Sequence, residues 1–326
     1  MQSPKFTVVI PTYNQADFLQ GALQCLMDQT FRDFEVLVIN NYSDDRTLEV
    51  VSAAGDPRIK ATDFRNNGVI AASRNVGIKS AKGRYIAFLD SDDIWRPNKL
   101  EVVSQIIDDE PDAGVFCHNQ SIVRYGNVSK SSRYGPPASY QGNLHDYLVF
   151  MGNCVATSAT VVAKEYLDQV DGFSEDPSLV TVEDYDLWVR ISKLCRFRFI
   201  DDVLGSQIFH EASASANVEL HLSASLAMLE KNRTKLNREG VKYSKGALRR
   251  RKANIHFGAA RQLQRRGKYL QSAKHYSRSL LANPISSRLY AGLALLLVDS
   301  VLGQNRRQRL VKRILPASWP ASWAFL

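Results

Sequence analysis

The chain has 326 residues, 44% of them hydrophobic and 23% charged, with a formal net charge of +9. That length suits one large domain plus a smaller one. The four cysteines, Cys25, Cys117, Cys154 and Cys195, are dispersed without metal-type pairing, which argues against a zinc framework and reads as a reduced, cytosolic set.

In chain order, Phe6-Thr7-Val8-Val9-Ile10 is a buried-strand pattern, ended by Pro11 and the turn formers Thr12-Tyr13-Asn14. With a strand starting there, no signal peptide is expected. Residues 15–28 place Phe18, Leu19, Ala22, Leu23 and Leu26 on one helical face. Phe34 to Ile39 is a second strand, running into Asn40-Asn41-Tyr42-Ser43-Asp44-Asp45. A helix is expected over 46–53 and a short strand near Ile59. Residues 69–81 carry Ala71, Ala72, Gly77 and Ala81, suited to a helix lying close on a sheet. Strand, helix, strand, helix, strand at this pitch predicts parallel strands with helices on their faces.

The third long strand, Tyr85-Ile86-Ala87-Phe88-Leu89, runs straight into Asp90-Ser91-Asp92-Asp93. A continuous apolar strand belongs in the middle of a sheet, so its carboxylates sit at the lip where open α/β sheets bind ligands. Acids so close repel one another unless a cation lies among them. Hard divalent ions such as Mg²⁺ bridge carboxylates to phosphates. The segment therefore reads as a metal–diphosphate site. An acidic turn with Asp93 capping the next helix is the alternative. Strand ends at Thr12-Tyr13, Asn40-Asn41 and Asp90–Asp93 converge on one crevice. There Tyr13 offers a face for a base and Arg74 a planar fork for phosphate or a carbonyl.

Farther on, residues 126–142 are rich in Gly, Ser, Pro and Tyr and are expected to form a mobile loop. Glu183-Asp184 precedes an amphipathic run, Tyr185, Leu187, Trp188 and Ile191, which puts both acids at a helix N-terminus. Helix-start acids and catalytic acids both fit that position. His210 follows a strand-like run, Phe197–Ile200, and a polar turn. Residues 253–284 read as a helical hairpin turning at Gly267 and stopping at Asn283-Pro284.

This ordered set resembles the family 2 glycosyltransferases of GT-A fold. The residues that carry the resemblance are Val8 to Asn14, Phe34 to Ile39, Asn67-Gly68, Arg74-Asn75-Val76-Gly77, Ala81 to Trp95 with Pro97, Lys99 and Leu100, then Gly172-Phe173 and Glu183 to Trp188. The resemblance covers roughly residues 5–215. It implies a Rossmann-like, mostly parallel α/β sheet flanked by helices over residues 1–216, while the pattern of 217–326 itself reads as an α-helical extension. It further implies that Pro11, Thr12, Tyr13, Asn41, Arg74, Asp90 and Ser91 bind a nucleotide diphosphate sugar. Asp92, with Asp90 and His210, would hold Mg²⁺ or Mn²⁺. Asp184, with Glu183 beside it, matches the general base for inverting transfer to a hydroxyl. Many relatives carry an acid where Asn41 stands. Asn keeps an acceptor oxygen, so a uracil or thymine base is still compatible. The Gln-x-x-Arg-Trp element of processive synthases is absent, so one sugar per reaction is expected.

Charge is uneven. Residues 230–326 hold 22 Lys and Arg against three acids, a net of +19, leaving −10 for the remainder. Leu289 to Val298 is a nonpolar run of ten, too short to span a bilayer. Arg306, Arg307, Arg309, Lys312 and Arg313 then alternate with Leu310, Val311, Ile314 and Leu315 before Trp319, Trp323, Phe325 and Leu326. Cations beside Trp and bulky aliphatics describe attachment of 285–326 to an anionic membrane surface, rather than nucleic-acid binding. A helical bundle with a solvated basic face is the plainer alternative. The expectation is a peripheral enzyme on the cytoplasmic face of the membrane, acting on a glycan or lipid-linked acceptor in cell-envelope polysaccharide synthesis. A non-catalytic nucleotide-sugar-binding or scaffold protein on the same fold is the rival.

Overall fold

In the computed structural model, residues 3–124, 127–210 and 217–302 are described, and the chain divides into two compact units, Met1–Ala214 and Ser215–Leu326. The first unit starts with β1 (Phe6–Thr12), α1 (Ala16–Met27), β2 (Phe34–Asn40), α2 (Thr47–Ala53), β3 (Ile59–Asp63), α3 (Ile70–Ser80) and β4 (Tyr85–Phe88). These strands pair in parallel in the order β3-β2-β1-β4. β1 has neighbours on both edges and every residue of it is buried, which is why its sequence is nearly continuous in apolar residues. α3 lies hard against it: a Cβ on Gly77 would come within 2.3 Å of Val9 Cγ1.

The rest of the unit comprises β5 (Ile94–Trp95), α4 (Lys99–Asp109), β6 (Ala113–Arg124), β7 (Asn127–Ser132), α5 (Leu144–Phe150), β8 (Thr160–Ala163), α6 (Lys164–Gln169), α7 (Glu183–Ile191) and β9 (Arg196–Phe209). They extend the same sheet as β4-β8-β6-β9-β5, with β7 on β6. β8 pairs antiparallel to both β4 and β6, and β5 antiparallel to β9, so the sheet is mixed beyond β4. The N-terminal strands are parallel as the βαβ rhythm predicts. The antiparallel additions follow no such rhythm.

Two local expectations are corrected. The segment expected to be a mobile loop over 126–142 instead supplies strand β7, Asn127–Ser132, hairpinned onto β6. A ready ladder partner overrides the weak strand propensity of Asn, Ser and Lys. The strand expected at Phe197–Ile200 with a polar turn after it is instead one 14-residue strand. It runs parallel to β6, and the register shift between His118 and Asn119 accommodates Asp201-Asp202, which sequence alone reads as a turn.

The second unit is helical: α8 (Val218–Arg238), α9 (Lys245–Arg265), α10 (Tyr269–Ala282) and α11 (Ser287–Leu302). Val218 and Leu222 of α8 pack with Ile255, Ala259 and Leu263 of α9. Ala260, Tyr276, Leu289 and Leu296 join α9, α10 and α11. Among the described residues no helix is long and apolar enough to cross a membrane. The basic and Trp-bearing segment from Arg306 to Leu326 lies outside the described residues.

Candidate active site

The tips of β1, β2 and β4, helix α3, the N-terminus of α7 and the end of β9 carry the residues singled out from sequence. Pro11 and Thr12 are buried at the end of β1, and Tyr13 beyond them is 55% exposed. Thr12 pairs with Asn40 across the ladder, and the Asn41 N–H donates to Thr12 O at 2.9 Å. Asn40 Nδ2 donates to Asp63 Oδ1 at 2.6 Å, bringing the β3 tip to the same rim. Asn41 Oδ1 accepts the Asn66 N–H at 2.9 Å, so the amide oxygen expected to meet a base edge also latches the loop after β3. A carbonyl oxygen has two lone pairs, so one still suits a ligand N–H.

Arg74 is buried, and its fork is directed at acids. Nη2 donates to Asp90 Oδ1 and Nη1 to Glu183 Oε1, both at 2.7 Å. Burial acts to lower its pKa, but the charges of Asp90 and Glu183 outweigh that and raise it above the ordinary arginine value. Its guanidinium lies 5.3 Å from the Phe173 ring centroid, and Phe173 meets Phe88 and Trp188 edge-on. The fork that sequence offers to a phosphate or a carbonyl here holds two carboxylates. Arg74 joins the two acidic clusters.

Asp92 and Asp93 differ in environment. Burial, then the neighbouring Asp90 charge, raises the Asp92 pKa. His210 Nε2 lies 2.8 Å from Asp92 Oδ2, and its ring stacks on Phe18 at 4.4 Å. Asp93 does not cap α4, whose N-cap is Asn98. It is buried, and its Oδ1 accepts the Ile208 N–H at 3.0 Å, pinning β9 to the acidic turn. Burial and the charges of Asp92 and Asp90 push its pKa well up. Ser91 is also turned inward, with its hydroxyl donating to Gln15 Oε1. The Asp90 N–H donates to Ser158 Oγ at 3.0 Å.

Asp184 stands in the first turn of α7 and is only partly buried, whereas Glu183 beside it is buried. Thr157 Oγ1 at 3.2 Å and Asn153 Nδ2 at 3.4 Å both donate to Asp184 Oδ2. The Tyr185 N–H donates to Oδ1 at 2.7 Å. Burial, reinforced by the Glu183 charge and opposed by Arg74, pushes the Asp184 pKa up to about 7. A carboxylate tuned there can take a proton at neutral pH. Asp186, in the same acidic run, is structural. It pairs with Arg190, which also donates to the carbonyls of Val170 and Gly172. Gly172 has φ +64°, and a Cβ there would come within 2.4 Å of Asn75 Oδ1. Asn75 in turn donates to Phe173 O at 2.9 Å, tying α3 to the loop before α7. Thr157, Asn153 and Ser158 were not found from sequence. Each is an ordinary polar residue on a loop or short turn, with no spacing signal.

Among the described residues, no three or more His, Cys, Asp or Glu side chains close into a metal cage. The residues present nonetheless suit a divalent ion shared with a ligand. Asp92 and His210 offer an oxygen and a nitrogen 2.8 Å apart, beside the like charge of Asp90. Such ions in phosphate chemistry complete their coordination with phosphate oxygens and water.

The family model for glycosyl transferase family 2 matches residues 7–159. An uncharacterized glycosyltransferase of Rickettsia conorii is 30% identical over 223 residues, which are 66% of this chain but 36% of that protein. The chain thus spans about a third of that relative's length. The amylovoran biosynthesis glycosyltransferase AmsB of Erwinia amylovora is 30% identical over 210 residues, 61% of this chain and 67% of AmsB. Among solved structures, S. aureus TarS 1–349 in complex with UDP-GlcNAc superposes with a TM-score of 0.61 at 20% identity, covering 94% of this chain and 92% of that one. The mannosyltransferase PcManGT from Pyrobaculum calidifontis, in complex with GDP-Man and Mn²⁺, does so at 0.57 and 19%, covering 94% and 82%. These structures share the GT-A fold. With β1, β2, β4 and their acids inside the matched segment, and AmsB alike over two thirds of its length, the chain belongs to glycosyltransferase family 2.

Proposed function

We propose that the protein moves one sugar from a nucleotide diphosphate sugar to a hydroxyl of a glycan or lipid-linked acceptor, with inversion and with help from Mg²⁺ or Mn²⁺. The observation that carries this reading is Arg74, which joins Asp90 of the diphosphate-side cluster to Glu183, the neighbour of Asp184. One buried cation thereby ties the donor-side acids to the candidate base.

In this reading Tyr13 and Asn41 receive a uracil or thymine base at the tips of β1 and β2. Asp90, Asp92 and His210 would hold a divalent ion, which would supply positive charge beside the departing diphosphate. Asp184 takes the acceptor hydroxyl proton as that oxygen attacks C1 of the sugar from the face opposite the leaving group. Thr157, Asn153 and the Tyr185 N–H fix the carboxylate's direction, and Glu183, held by Arg74, keeps Asp184 basic. Envelope polysaccharide synthesis is the setting suggested by AmsB, and attachment to the membrane surface the setting suggested by the basic second unit.

The test is a screen of purified protein for hydrolysis and transfer of nucleotide sugars, with Mn²⁺ and with chelator. Metal-stimulated turnover of a uridine or thymidine diphosphate sugar is expected. Binding without turnover of any donor, across a panel of hydroxyl acceptors, would leave the scaffold reading instead.

A further inference from the structure

α11 is apolar on two sides. Its inner side packs into the second unit through Leu289 and Leu296, beside Tyr276 and Ala260. Its outer side presents Tyr290, Ala291, Ala294, Leu297, Val298 and Val301, all exposed, with Leu297 at 70% and Val301 at 80%. Tyr290, Ala294, Leu297 and Val301 recur at helical spacing over three turns, so they form one stripe. None of the six is charged. A surface helix in water ordinarily turns a polar face outward, and a contiguous apolar one marks a contact surface.

The neighbouring chain carries the same signal. Leu270, Leu281 and Ile285 are the most exposed large apolar side chains among the described residues. On α10, exposed Lys274 and Arg278 fall between Leu270 and Leu281 at helical spacing, and exposed Arg288 opens α11. Residues 217–302 hold 17 Lys and Arg against four acids. That charge disfavours a second copy of the unit as the occupant and favours an anionic one. A nucleic acid would use the cations but has no use for an aliphatic stripe. An anionic bilayer surface uses both, taking the aliphatics into the acyl boundary and the cations at the headgroups. Among the described residues α11 runs for 16 residues, and no helix there is long and apolar enough to cross a membrane.

We propose that the outer face of α11 seats on the surface of an anionic phospholipid bilayer. The proposal rests on the reading of a membrane-surface transferase and names the face that makes the contact. Its test uses the full chain in sedimentation with phosphatidylglycerol/phosphatidylethanolamine vesicles, with phosphatidylcholine vesicles as control. The wild type is expected to pellet with the anionic vesicles alone, and less as salt rises. Leu297→Glu/Val301→Glu places two acids on the exposed stripe without touching the packed side. It should bind anionic vesicles at least tenfold more weakly while its donor hydrolysis and melting temperature stay at wild-type values. Undiminished vesicle binding by that variant overturns the proposal. So does a wild type that stays in the supernatant, binds single-stranded RNA in preference to vesicles, or forms a dimer that the double variant abolishes. Failure of the transferase reading shows separately, as vesicle binding by a protein that turns over no donor.

Discussion

Arg74 Nη1 donates to Glu183 Oε1 at 2.7 Å across 109 positions of sequence, and the two side chains are 5% and 9% exposed. Removing one partner of so buried a pair leaves an uncompensated charge and costs roughly 3–5 kcal/mol. Arg74→Met should therefore lower stability by about that much in urea unfolding, with transfer lost. Arg74→Met/Glu183→Gln removes both charges and should recover most of the stability but no activity, because Asp90 still lacks its partner. Equal destabilisation in the single and double variants would show that packing of Arg74 against Phe173 matters more than its charge. Arg74→Lys replaces the planar fork with a single-point ammonium and should fall between.

Asp184→Asn keeps the shape of the proposed base and removes its basic oxygen. Transfer should drop by roughly 10²-fold or more, with donor binding retained. In the wild type, kcat/KM should rise with pH through about 7, the value to which burial and Glu183 push this carboxyl. That limb should vanish in the variant. Stability runs the other way. A carboxyl whose folded pKa is raised binds its proton more tightly folded than unfolded, so its contribution is full below the unfolded value and lost as pH rises through about 7. Asp184→Asn should thus melt higher than wild type at pH 8 and equal to it near pH 4. A variant that is less stable at pH 8, or an unchanged pH–rate limb, would move the base elsewhere, with Glu183→Gln the next variant to assay.

The parallel half of the fold and the acidic rim were legible because they depend on local pattern. A strand buried on both faces, such as Phe6–Thr12, writes itself as an apolar run, and Asp90–Asp93 stand out at the end of another. What was hidden depends on partners distant in sequence. β7 and the second half of β9 exist because β6 offers them a ladder, not because Asn127–Ser132 or Asp201-Asp202 favour strands. The inward aim of Arg74, and the loop groups Thr157 and Asn153 on Asp184, are set by contacts 27 to 109 residues apart in the chain. The alternative of Asp93 as a helix cap could not be dismissed from sequence for the same reason. Its partner is the Ile208 N–H, 115 positions away.

Asp92 is expected to carry the metal requirement. Asp92→Asn should abolish Mn²⁺ binding in calorimetry and turnover with it. It should melt no lower than wild type, since burial beside Asp90 disfavours the charge at this position in the absence of a cation. His210→Ala removes the Nε2 group 2.8 Å from Asp92 Oδ2, and should weaken Mn²⁺ roughly tenfold or more. Full activity of Asp92→Asn in chelator-treated buffer would remove the metal from the reaction.

Lys99 lies outside the site and bears on stability. Its side chain is fully buried, its Nζ sits 3.0 Å from the Trp95 ring centroid, and that nitrogen has no hydrogen-bond partner among the described residues. Burial pushes its pKa well below the ordinary lysine value, with nearby Cys25 and Cys117 opposing. An unpartnered buried polar group costs roughly 1–3 kcal/mol. Lys99→Met keeps much of the volume without the amine, so it should stabilise the protein by up to about that amount at pH 7. The sign of the pH dependence follows from the depressed folded pKa. Between that value and the unfolded one near 10.5, the unfolded chain binds a proton that the folded chain refuses, so the wild type loses stability as pH falls through this window. The advantage of Lys99→Met should therefore be largest at pH 7 and shrink toward pH 10 in paired urea melts. A variant less stable than wild type at pH 7 would mean that the amine contributes more through the Trp95 ring face than burial takes away.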